Sequence, residues 1–344
     1  MKEKTLGRTG LNVKIIGFGG IPIQRVAEQE AIKVVRRCYE LGVNYFDTAR
    51  RYTVSEERVG KALEDVRDEI YLATKSISRT KKEVLKDLET SLGNLRTDWV
   101  DVFQLHNISS SDVWKQVKAP DGALEALYEA RDMGKIRHLG FTSHNPSLAA
   151  EIVKEDIFET LMIPFNYLTT AATEELLSLC SKMNVGTVIM KAFAGGALTD
   201  PNVALKFVLG NECVNIVIPG VNRTSEVEEN VAVASAPLTL TAEELRVIEN
   251  DRSTLKGQLC HSCDYCQPCK QKINISFVLN AETIIKRIGW TSFTEEQYQD
   301  AKVKVPTCIK CGDCETRCPY HLQIRELLPV RLAYFDKNRK KIRI

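Results

Sequence analysis

The sequence predicts an α/β chain, a (β/α)8 barrel of the TIM type followed by a small cysteine-rich domain. Three observations carry this. Eight short apolar runs alternate with longer segments of helical period between Val13 and Val221. No GxGxxG fingerprint follows the first run, and eight of the 11 cysteines crowd the last quarter of the chain. At 344 residues and 44% hydrophobic content, the chain can bury one large core and carry an appended unit.

Residues 1–14, with Gly7 and Thr9-Gly10 at a turn, read as a small hairpin able to close the bottom of a barrel. Strand-like runs follow at 13–19, 45–48, 70–75, 100–106, 136–142, 160–166, 186–191 and 215–219. Between them lie helical stretches such as 28–41, 55–66, 81–95, 123–133 and 173–183, and Asn145-Pro146 is a helix start. Eight βα units fit a closed barrel better than an open doubly wound sheet, and Gly17-Phe18-Gly19-Gly20 reads as a tight loop at its mouth. The long 107–121 connection, with Trp114, is expected to wall or cover a pocket. Helices at 225–235 and 241–251 follow. A boundary near 251–257 then separates a barrel unit, 1–256, from a cysteine-rich unit, 257–344. The latter holds a helical insert around 284–301 and a basic tail ending Lys340-Lys341-Ile342-Arg343-Ile344.

The 47 basic and 45 acidic residues leave a formal charge of +2, which gives no overall attraction to nucleic acid or anionic lipid. The first eleven residues are charged, and no run is long and apolar enough to span a bilayer. Neither a nucleic-acid nor a membrane partner is expected, and the chain is expected in the cytoplasm.

Cys38, Cys180 and Cys213 fall in or beside predicted helices and read as core thiols. The other eight form two runs. Cys308-Ile-Lys-Cys311-Gly-Asp-Cys314-Glu-Thr-Arg-Cys318-Pro319 has the C-x2-C-x2-C-x3-C-P spacing of bacterial ferredoxins, and Cys260-His-Ser-Cys263-Asp-Tyr-Cys266-Gln-Pro-Cys269 repeats it with one residue fewer before its last cysteine. Structural zinc is the competing reading, but it favours two separated Cys-x2-Cys pairs meeting at one ion. The unit is therefore expected to be a ferredoxin-like iron–sulfur domain with two [4Fe–4S] clusters. By the exchange of fourth ligands in two-cluster ferredoxins, Cys260, Cys263 and Cys266 pair with Cys318, and Cys308, Cys311 and Cys314 with Cys269. His261 and His321 are expected at the surface.

Four polar residues fall at or just past the C-terminal ends of successive predicted strands: Asp47, Tyr52, Lys75 and His106. That end is the catalytic face of a barrel. A tyrosine whose ordinary pKa is about 10 donates a proton poorly at neutral pH unless a cation stabilises its phenolate. Lys75 is that cation, Asp47 holds it, and His106 donates a hydrogen bond to a carbonyl oxygen as charge develops there.

Phe46-Asp47-Thr48-Ala49 with Tyr52, Ala73-Thr74-Lys75 and Gln104-Leu105-His106 resemble the tetrad motifs of the aldo-keto reductase superfamily. Thr5-Leu6-Gly7-Arg8-Thr9-Gly10-Leu11 resembles its N-terminal hairpin, and the likeness covers roughly residues 1–235. With its cysteine domain, the whole chain is similar to prokaryotic members carrying a C-terminal ferredoxin-like domain. The resemblance implies nicotinamide contacts at Thr142 and Ser143 and adenine contacts at Glu229 and Asn230. It also implies departures. Met190, followed by Lys191, stands where a tyrosine usually stacks on the nicotinamide, and Met162 stands for the usual glutamine. Gly220 and Glu226 replace the basic residues that hold a 2′-phosphate, leaving Arg223 as the nearest cation, so NADH and NADPH are both open.

Two functional readings follow. The first is an NAD(P)H-linked reductase of an aldehyde or ketone, or the enzyme of the reverse oxidation of an alcohol, acting on a small molecule with Tyr52 as general acid or base. The second is an electron-transfer module, its barrel a docking platform and its clusters serving a ferredoxin or flavoprotein partner. Nicotinamide delivers two electrons and a cluster takes one, so direct coupling requires a flavin bound without a sequence signature. In a third reading the segment after Gly257 has little apolar core of its own and the clusters act as folding staples.

Overall fold

The hairpin comes first: β1 (Glu3–Thr5) pairs antiparallel with β2 (Asn12–Lys14). The computed structural model describes residues 1–255, 257–287 and 289–339, so the basic tail from Lys340 onward lies outside the described residues. Leu6, Leu11 and Val13 pack in one cluster with Tyr45, Val102 and Val188 from the barrel interior. Gly7 sits at φ +52°, and a Cβ there would fall 2.2 Å from the Gly186 nitrogen, so only glycine lets the hairpin seat against the start of that strand. The hairpin plugs the N-terminal end of the barrel.

The barrel strands are β3 (Phe18–Gly19), β4 (Tyr45–Asp47), β5 (Tyr71–Ser76), β6 (Val100–Leu105), β7 (Ile136–Thr142), β8 (Thr160–Pro164), β9 (Gly186–Met190) and β10 (Ile216–Val217). They form one 8-stranded parallel sheet in chain order. It closes on itself: Gly17 N donates to Val217 O at 2.8 Å, and Val217 N to Ile15 O at 3.0 Å. The apolar run 13–19 is two elements, β2 ending at Lys14 and β3 starting at Phe18. Both are apolar, so periodicity merges them.

The outer layer consists of α1 (Glu28–Glu40), α2 (Ser55–Leu63), α3 (Lys81–Leu95), α4 (Ser111–Lys118), α5 (Ala123–Asp132), α6 (Pro146–Lys154), α7 (Ala171–Lys182), α8 (Pro201–Leu209) and α9 (Thr224–Ser235). Side chains of Thr80, Ser110, Asn145 and Asp200 accept from the backbone N–H three residues on, satisfying helix N-termini at roughly 1 kcal/mol each. Asn145-Pro146 does start a helix. The 107–121 connection departs from expectation because it contains α4. Trp114 is 6% exposed, its indole donates to Glu155 at 2.8 Å and its ring lies 6.0 Å from Phe158. It packs in the outer layer, against Glu155 and Phe158.

The chain divides into two compact units, Met1–Leu245 and Arg246 onward, with the division inside α10 (Ala242–Leu255). The second unit contains α11 (Ile275–Leu279), α12 (Ala281–Arg287), α13 (Ser292–Lys304), α14 (Asp313–Thr316) and α15 (Ile324–Asn338). The insert around 284–301 is thus two helices, parted at Gly289, whose φ is +79°. Contrary to the staple reading, this unit has its own apolar core. Phe277 stacks on Phe335 at 4.9 Å, and Val278, Tyr298, Ile324 and Leu328 bury around them. Among the described residues no helix is long and apolar enough to cross a membrane.

Candidate active site and cysteine cavities

Asp47 ends β4, Lys75 lies near the end of β5 and Gln104 near the end of β6, three adjacent strands in register. Lys75 Nζ donates to Asp47 Oδ1 at 2.5 Å and to the Thr48 carbonyl at 2.8 Å, while Gln104 Nε2 donates to Asp47 Oδ2 at 3.0 Å. Lys75 and Asp47 are 1% and 2% exposed. Two charges so deep cost several kcal/mol each to desolvate, a penalty offset only when they are paired and hydrogen-bonded, as here. Burial pushes the Asp47 carboxyl up, and the Lys75 ammonium opposes that.

The loop from β4 to α2 brings Tyr52 over this pair. Thr48 Oγ1 donates to Ser55 Oγ at 2.9 Å, and Ser55 Oγ donates to the Gly20 carbonyl at 2.8 Å, fixing both ends of the loop. Lys75 Nζ stands 5.2 Å from the Tyr52 ring centroid. The His106 ring meets Tyr52 edge-on, 6.0 Å between centroids and 85° between planes. Burial first, then the Lys75 cation, holds the His106 ring far below the ordinary histidine range, so it is neutral and carries one N–H. Its Nδ1 is buried without a hydrogen-bond partner among the described residues. Arg79 secures the segment by donating to the His106 carbonyl at 2.6 Å.

Three contributors escaped the sequence reading. Gln104 completes the shell of Asp47. Glu56, fully buried, accepts from Thr74 Oγ1 at 2.7 Å, Ser91 Oγ at 2.6 Å and Asn94 Nδ2 at 3.1 Å, and pairs with Arg50. It ties α2, β5 and α3 together beside Lys75. A signal existed: Glu56 shares the inward face of α2 with Val59, Gly60 and Leu63 at helical spacing. The third is His144, held neutral by burial and then by Lys191 and His106, with its Nδ1 3.4 Å from Lys191 Nζ.

The residues read as cofactor contacts are spread along the same barrel end. Thr142 ends β7, Ser143 follows it, and both are buried; Thr142 Oγ1 accepts from Asn107 N at 2.7 Å, and Ser143 Oγ accepts from Asn145 N at 3.0 Å. Met190 ends β9 half-buried, and Lys191 follows with φ +57°. Gly220 bridges to Gly19 where the barrel closes. Glu226 caps α9, accepting from Asn222 N at 2.9 Å and from the Arg223 guanidinium at 2.7 Å. Glu229 is exposed and Asn230 buried on the same helix. Met162 packs within the barrel interior cluster.

In the second unit the eight clustered cysteines line two cavities. Cys260, Cys263, Cys266 and Cys318 line one of about 290 Å³, and Cys269, Cys308, Cys311 and Cys314 one of about 410 Å³. Each cavity draws three cysteines from one run and one from the other. Arg317 clips the runs together by donating to the Cys266 carbonyl at 2.9 Å and the Pro268 carbonyl at 3.0 Å. Four thiol groups around each pocket form a donor set that suits a cubane cluster. Outside this unit, Cys38 and Cys180 are buried and Cys213 half-buried; burial pushes the Cys180 thiol up to about 12, the inert form of a core cysteine.

Residues 15–203 match the aldo/keto reductase family, and residues 259–323 match a 4Fe-4S dicluster domain. Among characterised and uncharacterised relatives, the chain is 26% identical to the uncharacterized oxidoreductase YqkF of Bacillus subtilis (strain 168), covering 73% of this chain and 96% of that protein. It is 26% identical to L-galactose dehydrogenase of Arabidopsis thaliana, covering 73% and 91% respectively. Among solved structures, the aldo-keto reductase AKR11C1 from Bacillus halodurans in its holo form superposes with a TM-score of 0.65 at 28% identity, covering 73% of this chain and 96% of that one.

Proposed function

Because the chain belongs to the aldo/keto reductase family and carries a 4Fe-4S dicluster domain C-terminal to the barrel in sequence, we propose that it is an oxidoreductase that interconverts a small aldehyde or ketone and its alcohol with NADH or NADPH. The observation that carries this reading is the buried Lys75–Asp47 pair at 2.5 Å, set beside Tyr52 and His106. Tyr52 gives its proton to the carbonyl oxygen as the carbon is reduced. Lys75 stabilises the negative charge left on the phenol oxygen, and Asp47 with the Thr48 carbonyl keeps the ammonium aimed. The neutral His106 ring donates its N–H to the same carbonyl oxygen. In the reverse direction Tyr52 takes the alcohol proton.

A bound nicotinamide supplies or accepts the hydride. Thr142, Ser143, Met190 and Lys191 would hold its reactive end, and Gly220, Arg223, Glu229 and Asn230 its adenosine end. NADH suits this rim better than NADPH. The Glu226 carboxylate already occupies the α9 N-terminus and the Arg223 guanidinium, the groups a 2′-phosphate needs.

Each set of four cysteines would hold one [4Fe–4S] cluster, a one-electron site, and no step of the carbonyl reaction uses them. The sequence marks no flavin site to convert between hydride and single electrons. The rival reading, an electron-transfer module with the barrel as platform, leaves the buried pair beside Tyr52 without a purpose. The test is an anaerobic titration with NADH and NADPH, following cluster absorbance and EPR together with turnover of simple aldehydes and ketones. Turnover that Tyr52→Phe cuts to a small residual rate, with the clusters still oxidised, is expected. A chain that binds neither nucleotide, or whose clusters are reduced by nucleotide without added flavin, would overturn this assignment.

A further inference from the structure

The two cysteine cavities face the solvent unequally. At the first, Cys266 and Cys318 are 8% and 7% exposed, the charged side chain in the lining is Asp264, and His261 stacks on Tyr320 at 3.7 Å. At the second, Cys311 is exposed, and beside it Ile309 leaves an apolar side chain 57% exposed. The second cavity also carries cations. Arg325 is committed to Glu315 at 2.7 Å and Lys270 to Asp313 at 2.9 Å. Arg317 is exposed and hydrogen-bonds to carbonyl oxygens of Cys266, Pro268 and Asp313. Lys310, between two ligating positions, is exposed as well.

A redox centre that exchanges electrons with a separate protein needs a short path to the surface, a small apolar contact that sheds water easily, and charge that steers the encounter. An exposed ligating cysteine, an exposed isoleucine and the exposed cations Lys310 and Arg317, the latter also in the field of the Asp313 carboxylate, supply all three. The whole chain, at +2, steers nothing at long range, so the local charges decide the sign.

We propose that the surface around Cys311, formed with Ile309, Lys310 and Arg317, is the docking site of an acidic one-electron iron–sulfur carrier protein. The proposal rests on the reading that the cavities hold clusters. Each encounter moves one electron: the carrier is oxidised by one, the cluster held by Cys269, Cys308, Cys311 and Cys314 is reduced by one, and no bond or proton changes hands.

The test uses the full chain with clusters loaded anaerobically and a chemically reduced, acidic [2Fe–2S] ferredoxin as probe, mixed by stopped flow at salt from about 20 to 300 mM. The second-order rate of cluster reduction is expected to fall at least about tenfold across that range, as screening of opposite charges requires. Lys310→Glu is expected to lower the low-salt rate about fivefold and flatten the salt dependence, with loading judged from the EPR signal after dithionite. A wild-type rate that is flat or rises with salt overturns the docking site, even if Lys310→Glu fails to load. Absence of any cluster signal in the wild-type chain overturns the cluster reading, and the docking proposal with it.

Discussion

Lys75→Met keeps the length and apolar stem of the side chain and removes only its ammonium. At 5.2 Å from the ring centroid, and an effective dielectric constant of about 20, a unit charge stabilises a fully formed Tyr52 phenolate by about 3 kcal/mol. A half-developed charge in the transition state gains about half of that, so kcat/KM should fall between about tenfold and about 150-fold. The substitution also leaves Asp47 buried with only Gln104 for company, and breaking such a pair costs about 3–5 kcal/mol of stability. Urea unfolding therefore comes first, to show that the variant is folded under assay conditions. Initial rates with NADH and short aldehydes then give the fall in kcat/KM. A double-mutant cycle with Tyr52→Phe completes the test: since the ammonium acts through the phenol, Lys75→Met should cost almost nothing more in the Tyr52→Phe background. A folded Lys75→Met within threefold of the parent, or a loss that adds fully to that of Tyr52→Phe, would refute the assigned role.

Glu56→Gln replaces a buried acceptor of four groups with one that offers N–H bonds to hydroxyls already donating, so barrel stability measured in urea should drop by about 2–4 kcal/mol. His106 and His144 are both held neutral in the fold, whereas the unfolded chain binds those protons near 6.5. Their contribution is fully present above that pH and is lost as the pH falls below it, at a slope of at most about 1.4 kcal/mol per pH unit for each; denaturation series at pH 7, 6 and 5 would reveal a flat profile if this is wrong. Cys269→Ser should strip the cluster held with Cys308, Cys311 and Cys314 and spare the other, while Cys318→Ser should do the reverse. Iron content and EPR of the two variants would expose any other pairing. Gly7→Ala should lower the thermal midpoint of the barrel markedly, because its Cβ has no room against Gly186.

The barrel is legible because strands such as Thr160–Pro164 and Gly186–Met190 are almost wholly buried and read as short, largely apolar runs between helical periods. The same property hides the boundary between β2 and β3, where two apolar segments of different partners abut. Asp47, Lys75 and His106 stand out because a polar residue at the end of a buried strand has little structural reason to be there. Glu56 does not, since beside Glu57 it looks like any solvent-facing helix glutamate until the helix register is worked through. Trp114 misled for the opposite reason: an aromatic in a long connection suggests a pocket wall, whereas the Ser110 cap and the α4 turns fold it into the outer layer. The cysteine spacing identified both runs, but the apolar core around Phe335 is assembled from α11, α13 and α15, segments too far apart for local pattern to join.

The crossing of cysteines between the two runs bears on how the protein is made. Cys318 belongs to the cavity of Cys260, Cys263 and Cys266, and Cys269 to that of Cys308, Cys311 and Cys314. During synthesis the earlier run therefore reaches the solvent with three of its four thiols in place and waits for the later one. The second cavity has all its cysteines once the chain has been translated past Cys314, and the first only once it has passed Cys318. Under the proposed reading, cluster loading would follow translation of both runs, because each set of four thiols draws on both.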